Sequence, residues 1–200
     1  MNTYHIRSYK TGEPLFSGPY GNFNACLEAA AATQTPLAYA DLRHRNLSNL
    51  MLDGIHLPHA DFSYSNLTGA NLSEARLPGA LFHHTDLYNT CMAYADLSAC
   101  NFEETNFGAT DIVQSNISGA TFSSLSCFSL DFNLVKDMQG CIFKTLHGAP
   151  ARMSKPPIVI KGLHPNPLVF MDEIVAVGHR ILRDSQPLHN AKSRKQARVN

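Results

Sequence analysis

From Thr35 to Asp131 the chain carries an apolar residue at every fifth position. Stepping by five from Leu37 to Phe132 gives twenty positions, all of them Leu, Phe, Met, Ile or Cys. The residue two before each of these centres is Ala, Ser, Thr or Cys in fifteen of the twenty, without exception from Ala60 to Ala120. The residue just before the centre is Asp or Asn in twelve. A period of five fits neither a helix nor a flat strand, so the chain must turn a corner in every repeat. If the centre and the small residue two before it point inward, four repeats close a square coil, and successive coils stack at about 4.8 Å. Centres one coil apart then form vertical ladders. Phe62, Phe82, Phe102 and Phe122 make one, Leu57, Leu77, Leu97 and Ile117 a second, and Leu52, Leu72, Met92, Ile112 and Phe132 a third. The Phe ladder is the expected structural core, because stacked aromatics add to the area they bury.

In letters the pattern is A(D/N)LXX, as in Ala40-Asp41-Leu42, Ala60-Asp61-Phe62, Ala70-Asn71-Leu72 and Ala95-Asp96-Leu97. This resembles the motif of the pentapeptide-repeat family over about half of the chain. The resemblance implies an all-β solenoid, a right-handed quadrilateral β-helix, here with small α/β caps at its ends. It implies much less about function, because members of the family differ in their partners.

The ends of the phase divide the chain. Residues 1–34 read as an N-terminal hairpin, turning at Gly12, followed by a capping helix through ACLEAAAAT with Asn22 or Asn24 as N-cap. Residues 35–145 are the repeat region. In its first coil the small slot holds Arg45, Leu50 and Ile55, and in its last Leu125, Leu130 and Val135, which predicts that something covers those coils. Asp137 falls where the next centre is due, so the regular coil is expected to end near Phe132 and one distorted coil to follow to about Lys144. Residues 146–183 read as a linker from Pro150 to Pro157 and a small β element, with IVIKG and EIVAVG as strands. That element closes the C-terminal end or pairs with the N-terminal hairpin. Residues 184–200 form a basic tail with little to bury.

Composition narrows the class. A chain 44% hydrophobic and 16% charged is too apolar for disorder, and its apolar runs are too short to span a bilayer. The polar N-terminus reads as no signal peptide, and five cysteines without a CxxC read as free thiols, so a cytoplasmic setting is expected. Sixteen bases balance sixteen acids, but unevenly: residues 35–145 carry a net −6 and residues 146–200 a net +6. The quinolone-resistance members of the family look like B-DNA and occupy the DNA-binding saddle of type II topoisomerases. The resemblance therefore implies an alternative role, a DNA-mimicking modulator of a topoisomerase or another DNA-binding enzyme, using Asp61, Asp86, Asp96, Asp111 and Asp131. A rod of about five coils, near 25 Å, is short for a mimic, and a homodimer would lengthen it. Direct nucleic-acid binding is expected only through Arg194, Lys195 and Arg198 of the tail.

Chemistry-bearing clusters are few. His83 and His84 lie one coil from Glu103 and Glu104, two imidazoles and two carboxylates that could bind a transition metal, but cross-strand pairing on a solvated wall without a pocket is the expected reading. No GxGxxG, GxxxxGK or HExxH motif is present, and HPNP around His164 reads as a rigid turn. Cys100 and Cys127 fall in inward slots, whereas Cys91 and Cys141 precede their centres and are expected outward. Tyr64, Tyr88, Tyr94 and Phe128 follow a centre, where the core requires no aromatic; with Asp86, Asp96 and Asp111 they are the expected interaction residues. The expectation is a non-enzymatic protein-interaction scaffold without catalytic residues, cofactor, metal or membrane contact.

Overall fold

The computed structural model describes residues 2–145, 150–162, 165–172, 174–178 and 180–182. His164 and the basic tail with Arg194, Lys195 and Arg198 lie outside the described residues.

The five-residue period becomes a coil of four walls. Parallel bridges join Asp41 to Asp61, Asn46 to Asn66, Met51 to Asn71 and His56 to Arg76, one on each wall, and the same offset repeats toward the C-terminus. Most walls are single bridges. The pairing widens to two residues where β3 (Asn101–Phe102) meets β4 (Thr121–Phe122). Between walls the chain turns through an i to i+3 hydrogen bond, as from Ser65 N to Phe62 O at 3.0 Å. The third residue of the turn, Tyr64, has φ 62°, the type II arrangement. The Asp or Asn before each centre braces the same corner, since its Oδ1 accepts the N–H two residues on, as in Asp86 to Tyr88 (3.0 Å) and Asp96 to Ser98 (3.1 Å).

All twenty centres from Leu37 to Phe132 are buried. The rings of Phe62, Phe82, Phe102 and Phe122 stack at centroid spacings of 4.9, 4.9 and 5.3 Å. Most inward hydroxyls are satisfied by the coil before, while Ser115 Oγ donates within its own turn to Ile112 O. Thr85 Oγ1 donates to Phe62 O (2.9 Å), Thr90 Oγ1 to Leu67 O (2.8 Å) and Thr105 Oγ1 to Phe82 O (2.6 Å). A small polar residue therefore fits the slot at no cost in unpaired groups.

The first coil has no neighbour before it, and the cap supplies one. Strands β1 (Thr3–Arg7) and β2 (Pro14–Pro19) form the hairpin, and helix α1 (Phe23–Ala32) starts at Asn22, whose side chain accepts from Ala25 N. Arg7 O takes Asp41 N (2.8 Å), and the Glu28 carboxylate takes Met51 N (3.3 Å). These N–H groups in later coils go to a carbonyl of the coil before, as Asp61 N does to Ala40 O. Cys26, Leu27, Ala30 and Ala31 of α1 bury into one core with Leu50 and Ile55, the large residues of the first coil's small slot. The expected cover is thus the helix.

At the other end the phase slips by one residue. Asn116 pairs with Asp137 and Thr121 with Ile142, an offset one longer than in the rest of the rod. Two 3-10 turns, Leu125–Ser129 and Phe132–Leu134, take up the added residue. Three expectations are corrected as a result. Asp137 does not break the pattern: it fills the Asp/Asn position, accepting from Gln139 N at 2.9 Å, and the centres become Met138 and Phe143, both buried. Cys141 is not outward but in the small slot, fully buried with Sγ 2.9 Å from Ile117 O, and burial pushes its thiol up to about 12. Phe128 is not outward either. It is 7% exposed, its ring 5.0 Å from Phe143.

Beyond β5 (Cys141–Phe143), the stretch expected as a linker contains β6 (Ala151–Met153), antiparallel to β5. Strands β7 (Ile158–Ile160), β8 (Leu168–Phe170), β9 (Val175–Val177) and β10 (Arg180–Leu182) make an antiparallel sheet in the order β10-β9-β8-β7. Met153, Val169, Met171 and Ala176 join the main core, so this element closes the C-terminal end, and among the described residues β1 and β2 form a sheet only with each other.

Candidate interaction surface

The turn geometry puts side chains at the corners in columns. At one corner His44, Tyr64 and His84 stack at 5.0 Å intervals, and at the next Tyr39 and His59 stack at 5.0 Å. All five have positive φ, a conformation that costs a non-glycine residue roughly 1 kcal/mol. The backbone ladder holds the turn, and ring stacking offsets part of the cost. Lys10 lies over the Tyr39 ring at 3.8 Å, and Tyr9 meets it edge-on at 6.0 Å. The wall between these corners carries Asp41, Arg43 and Asp61. Arg43 donates through Nε and Nη2 to Asp41 at 2.9 and 2.8 Å and lies 3.7 Å from Asp61. The Arg43 guanidinium holds the Asp41 carboxyl below its usual range. The period of five contained this column, since residues two after each centre are read off directly, but its positive φ was legible only at glycines.

Tyr64, Tyr88 and Tyr94 are 52%, 53% and 63% exposed. Tyr64 and Tyr94 are corner residues with φ 62° and 61°. Tyr88 stands one residue after its centre with its ring laid over Gly108, where a Cβ would collide with it. Tyr94 borders a groove of about 400 Å³ with Asp96, Gln114, Asn116 and Lys136. Of the four expected aromatics, these three face solvent and Phe128 does not.

The remaining candidates separate. Asp86, Asp96 and Asp111 sit on three different walls, in bridged columns with Asn66 and Asn106, with Arg76 and Asn116, and with Cys91. Asn106 Nδ2 donates to Asp86 (3.2 Å) and Asn116 Nδ2 to Asp96 (3.3 Å), so each carboxylate already accepts a side-chain hydrogen bond while keeping its charge. At the His/Glu cluster, Glu103 is bound by Lys144 and Glu104 by Ser123. His83 and His84 pack on each other at 4.3 Å and on Tyr64. Among the described residues no group of three or more His, Cys, Asp or Glu is arranged to hold a metal. The Cys100 and Cys127 thiols are pushed well up by burial, which removes them as nucleophiles at neutral pH.

One surface was missed. Register places Ile158, Phe170 and Val175 on one face of the C-terminal sheet with Ile160, Leu168 and Val177. The opposite face, Val159, Val169 and Ala176, packs on the core. Ile158 remains 65% exposed. The alternation in IVI and VAV carries no polar residue, so the sequence did not show which face was outward.

Stacked parallel coils with small and large residues alternating inward define a repeat β-helix. The Pentapeptide repeats family model matches in eight copies over residues 37–73, 65–103 and 90–124, so this stretch of the chain carries that family's repeats. Comparison with curated proteins gives no match. Among solved structures, the chain is similar to a pentapeptide repeat protein of the Arabidopsis thaliana thylakoid lumen, with 26% identity, 62% of this chain and 67% of that chain covered, and a TM-score of 0.42. It is also similar to HetL, a pentapeptide repeat protein involved in heterocyst differentiation regulation in the cyanobacterium Nostoc sp. strain PCC 7120, with 24% identity, 51% and 47% covered, and a TM-score of 0.30. A third is QnrB1, a plasmid-mediated fluoroquinolone resistance protein, with 17% identity, 52% and 60% covered, and a TM-score of 0.26. The chain thus spans about half the length of HetL and three fifths of QnrB1. No helix among the described residues is long and apolar enough to cross a membrane.

Proposed function

We propose that the rod, a right-handed quadrilateral β-helix, is a non-catalytic scaffold that binds a protein partner through its walls in a reducing, cytoplasmic setting. The observation that carries this reading is the exposure of Tyr64, Tyr88 and Tyr94, each with more than half its surface in solvent. Tyr64 is held between His44 and His84, and Tyr88 rests on Gly108. Aromatics that are rigid before binding lose little entropy on contact, which is what an interface anchor requires. Four of the five free cysteines are buried, which suits a compartment that keeps thiols reduced. The test is affinity capture with wild-type protein and a Tyr64→Ser, Tyr88→Ser, Tyr94→Ser variant of equal stability. A partner retained by the first and lost by the second is expected. Identical captured sets, or turnover by the wild type in a hydrolase screen, count against it.

The net −6 of residues 35–145 favours one second reading, the DNA-mimicking modulator of a topoisomerase or another DNA-binding enzyme. Its carboxylates would stand in for phosphates, so binding would weaken with salt and be competed by duplex DNA. A supercoiling assay with purified gyrase tests the topoisomerase form: no inhibition and no protection against a quinolone at micromolar protein removes it.

A further inference from the structure

Arg45 is the one charged residue among the twenty positions two before a centre, where all others are small or apolar. It does not enter the core. Its guanidinium carbon lies over the Phe23 ring, 3.9 Å from the centroid. The space left beside it is a cleft of about 760 Å³ between β1, the start of α1 and the first coil. Arg7 and His5 line it from β1, and Arg43, His44 and Arg45 from the coil, with Asp41 as its carboxylate. Arg43 and Asp41 neutralise each other through two hydrogen bonds. Arg7 donates one N–H to Gly12 O, and among the described residues neither Arg7 nor Arg45 joins an ion pair. Arg7 on β1 and Arg45 on the first coil are therefore two guanidinium groups of one cleft outside any ion pair, with Asp41 within electrostatic reach of Arg45.

We propose that this cleft binds the phosphate group of a small molecule. Arg7, Arg43 and Arg45 against Asp41 and the adjoining Asp61 leave the cleft net positive, which favours an anion. Donors from two sides suit a tetrahedral oxyanion, whereas a planar carboxylate is served by one fork. Stacking on Phe23 holds the Arg45 fork in place before the ligand arrives, so little entropy is lost on binding. The cleft volume lies in the range of small-molecule sites. A nucleic-acid duplex is disfavoured, because it would also have to lie along the Asp41 and Asp61 wall. The inference is independent of the scaffold reading and uses none of its three tyrosines.

The experiment is a titration of the full chain with phenyl phosphate and with inorganic phosphate, followed by NMR at constant ionic strength. Saturable one-to-one binding is expected, with both probes perturbing the first coil. Arg45→Gln and Arg7→Gln are each expected to weaken it about tenfold. Arg45→Lys is expected to weaken it nearly as much, since an ammonium offers no planar fork. Arg76→Gln, exposed on the rod away from the cleft, is expected to leave it unchanged. Binding of inorganic phosphate alone identifies the free ion as the ligand source; tighter binding of phenyl phosphate identifies an ester. Benzoate binding as well as phenyl phosphate, no saturation by about 10 mM, or equal affinity in the Arg7→Gln variant overturns the proposal. Because Arg7 is exposed on a hairpin strand, that variant stays informative even if Arg45→Gln unfolds the cap.

Discussion

Tyr88 and Phe128 each follow a centre by one residue and stand two coils apart in the same column, yet Tyr88 is 53% exposed and Phe128 only 7%. The difference lies in the backbone between them. Tyr88 belongs to a coil of regular length, where the residue after a centre must point outward because the turn begins there. Phe128 lies inside the 3-10 turn Leu125–Ser129, in the coil that holds one residue more. That turn rotates the ring into contact with Phe143. Position in the repeat dictates side-chain direction only while the repeat length holds. The interior coils and the last coil are therefore two regimes of one fold, and substitutions can separate them.

The largest effect is expected in the interior. Phe102 is 1% exposed, with Phe82 stacked on one side and Phe122 on the other. Phe102→Ala should cost about 3–5 kcal/mol in urea unfolding, because a slot between two rings cannot collapse. A loss below about 1 kcal/mol would be incompatible with a stacked-coil core. The next effect tests the last coil directly. Phe128→Ala should cost about 2–4 kcal/mol, as for a buried aromatic, whereas Tyr88→Ala should stay within about 1 kcal/mol. Equal small losses at both positions would return Phe128 to the surface and restore the regular twenty-residue coil throughout.

What the sequence disclosed follows the same division. Twenty phased centres, the Phe ladder and the small slot were legible because a core admits only certain volumes at each position, and volume is written in residue identity. The slip at Asp137 was not. An Asp at a due centre reads as an interruption, and the pairings of Asn116 with Asp137 and of Thr121 with Ile142 show that the frame has moved by one. The same slip hid the burial of Cys141. The corner columns fall between these cases. Their membership was countable, but whether His44, Tyr64 and His84 stack or splay depends on turn torsions that the letters do not carry. The cleft at Arg45 was visible only as an anomaly, a charge in a small slot; the cap that makes it a cleft comes from a distant part of the chain.

Gly108 sharpens the contrast at a smaller scale, because it sits under Tyr88 in the regular coil. It has φ 46°, and a Cβ there would run into the Tyr88 ring. Gly108→Ala should cost about 1–3 kcal/mol, part from the left-handed backbone and part from displacing the ring. In a Tyr88→Ala background the ring component should vanish, leaving about 1 kcal/mol from the backbone alone. Additive costs in the double variant would mean that the ring does not rest on Gly108, and the fixing of Tyr88 in solvent would lose its cause.

The smallest effect is expected where the rod's acids are concerned, and its smallness is the point. Asp86, Asp96 and Asp111 each use Oδ1 to accept a backbone N–H two residues on. Asn66, Asn71, Asn101 and Asn116 do the same at equivalent positions. The corner needs an oxygen acceptor and not a charge, so replacing all three aspartates by Asn should change stability by less than about 0.5 kcal/mol. Replacing them by Ala should cost about 1 kcal/mol each, because the turn N–H loses its partner. Such a triple Asn variant is a rod of unchanged shape with three fewer negative charges, which makes it the right reagent for the DNA-mimic reading. If it modulates a topoisomerase as well as the wild type, the acid excess is corner chemistry. If the wild type acts and the variant does not, charge rather than shape carries the function.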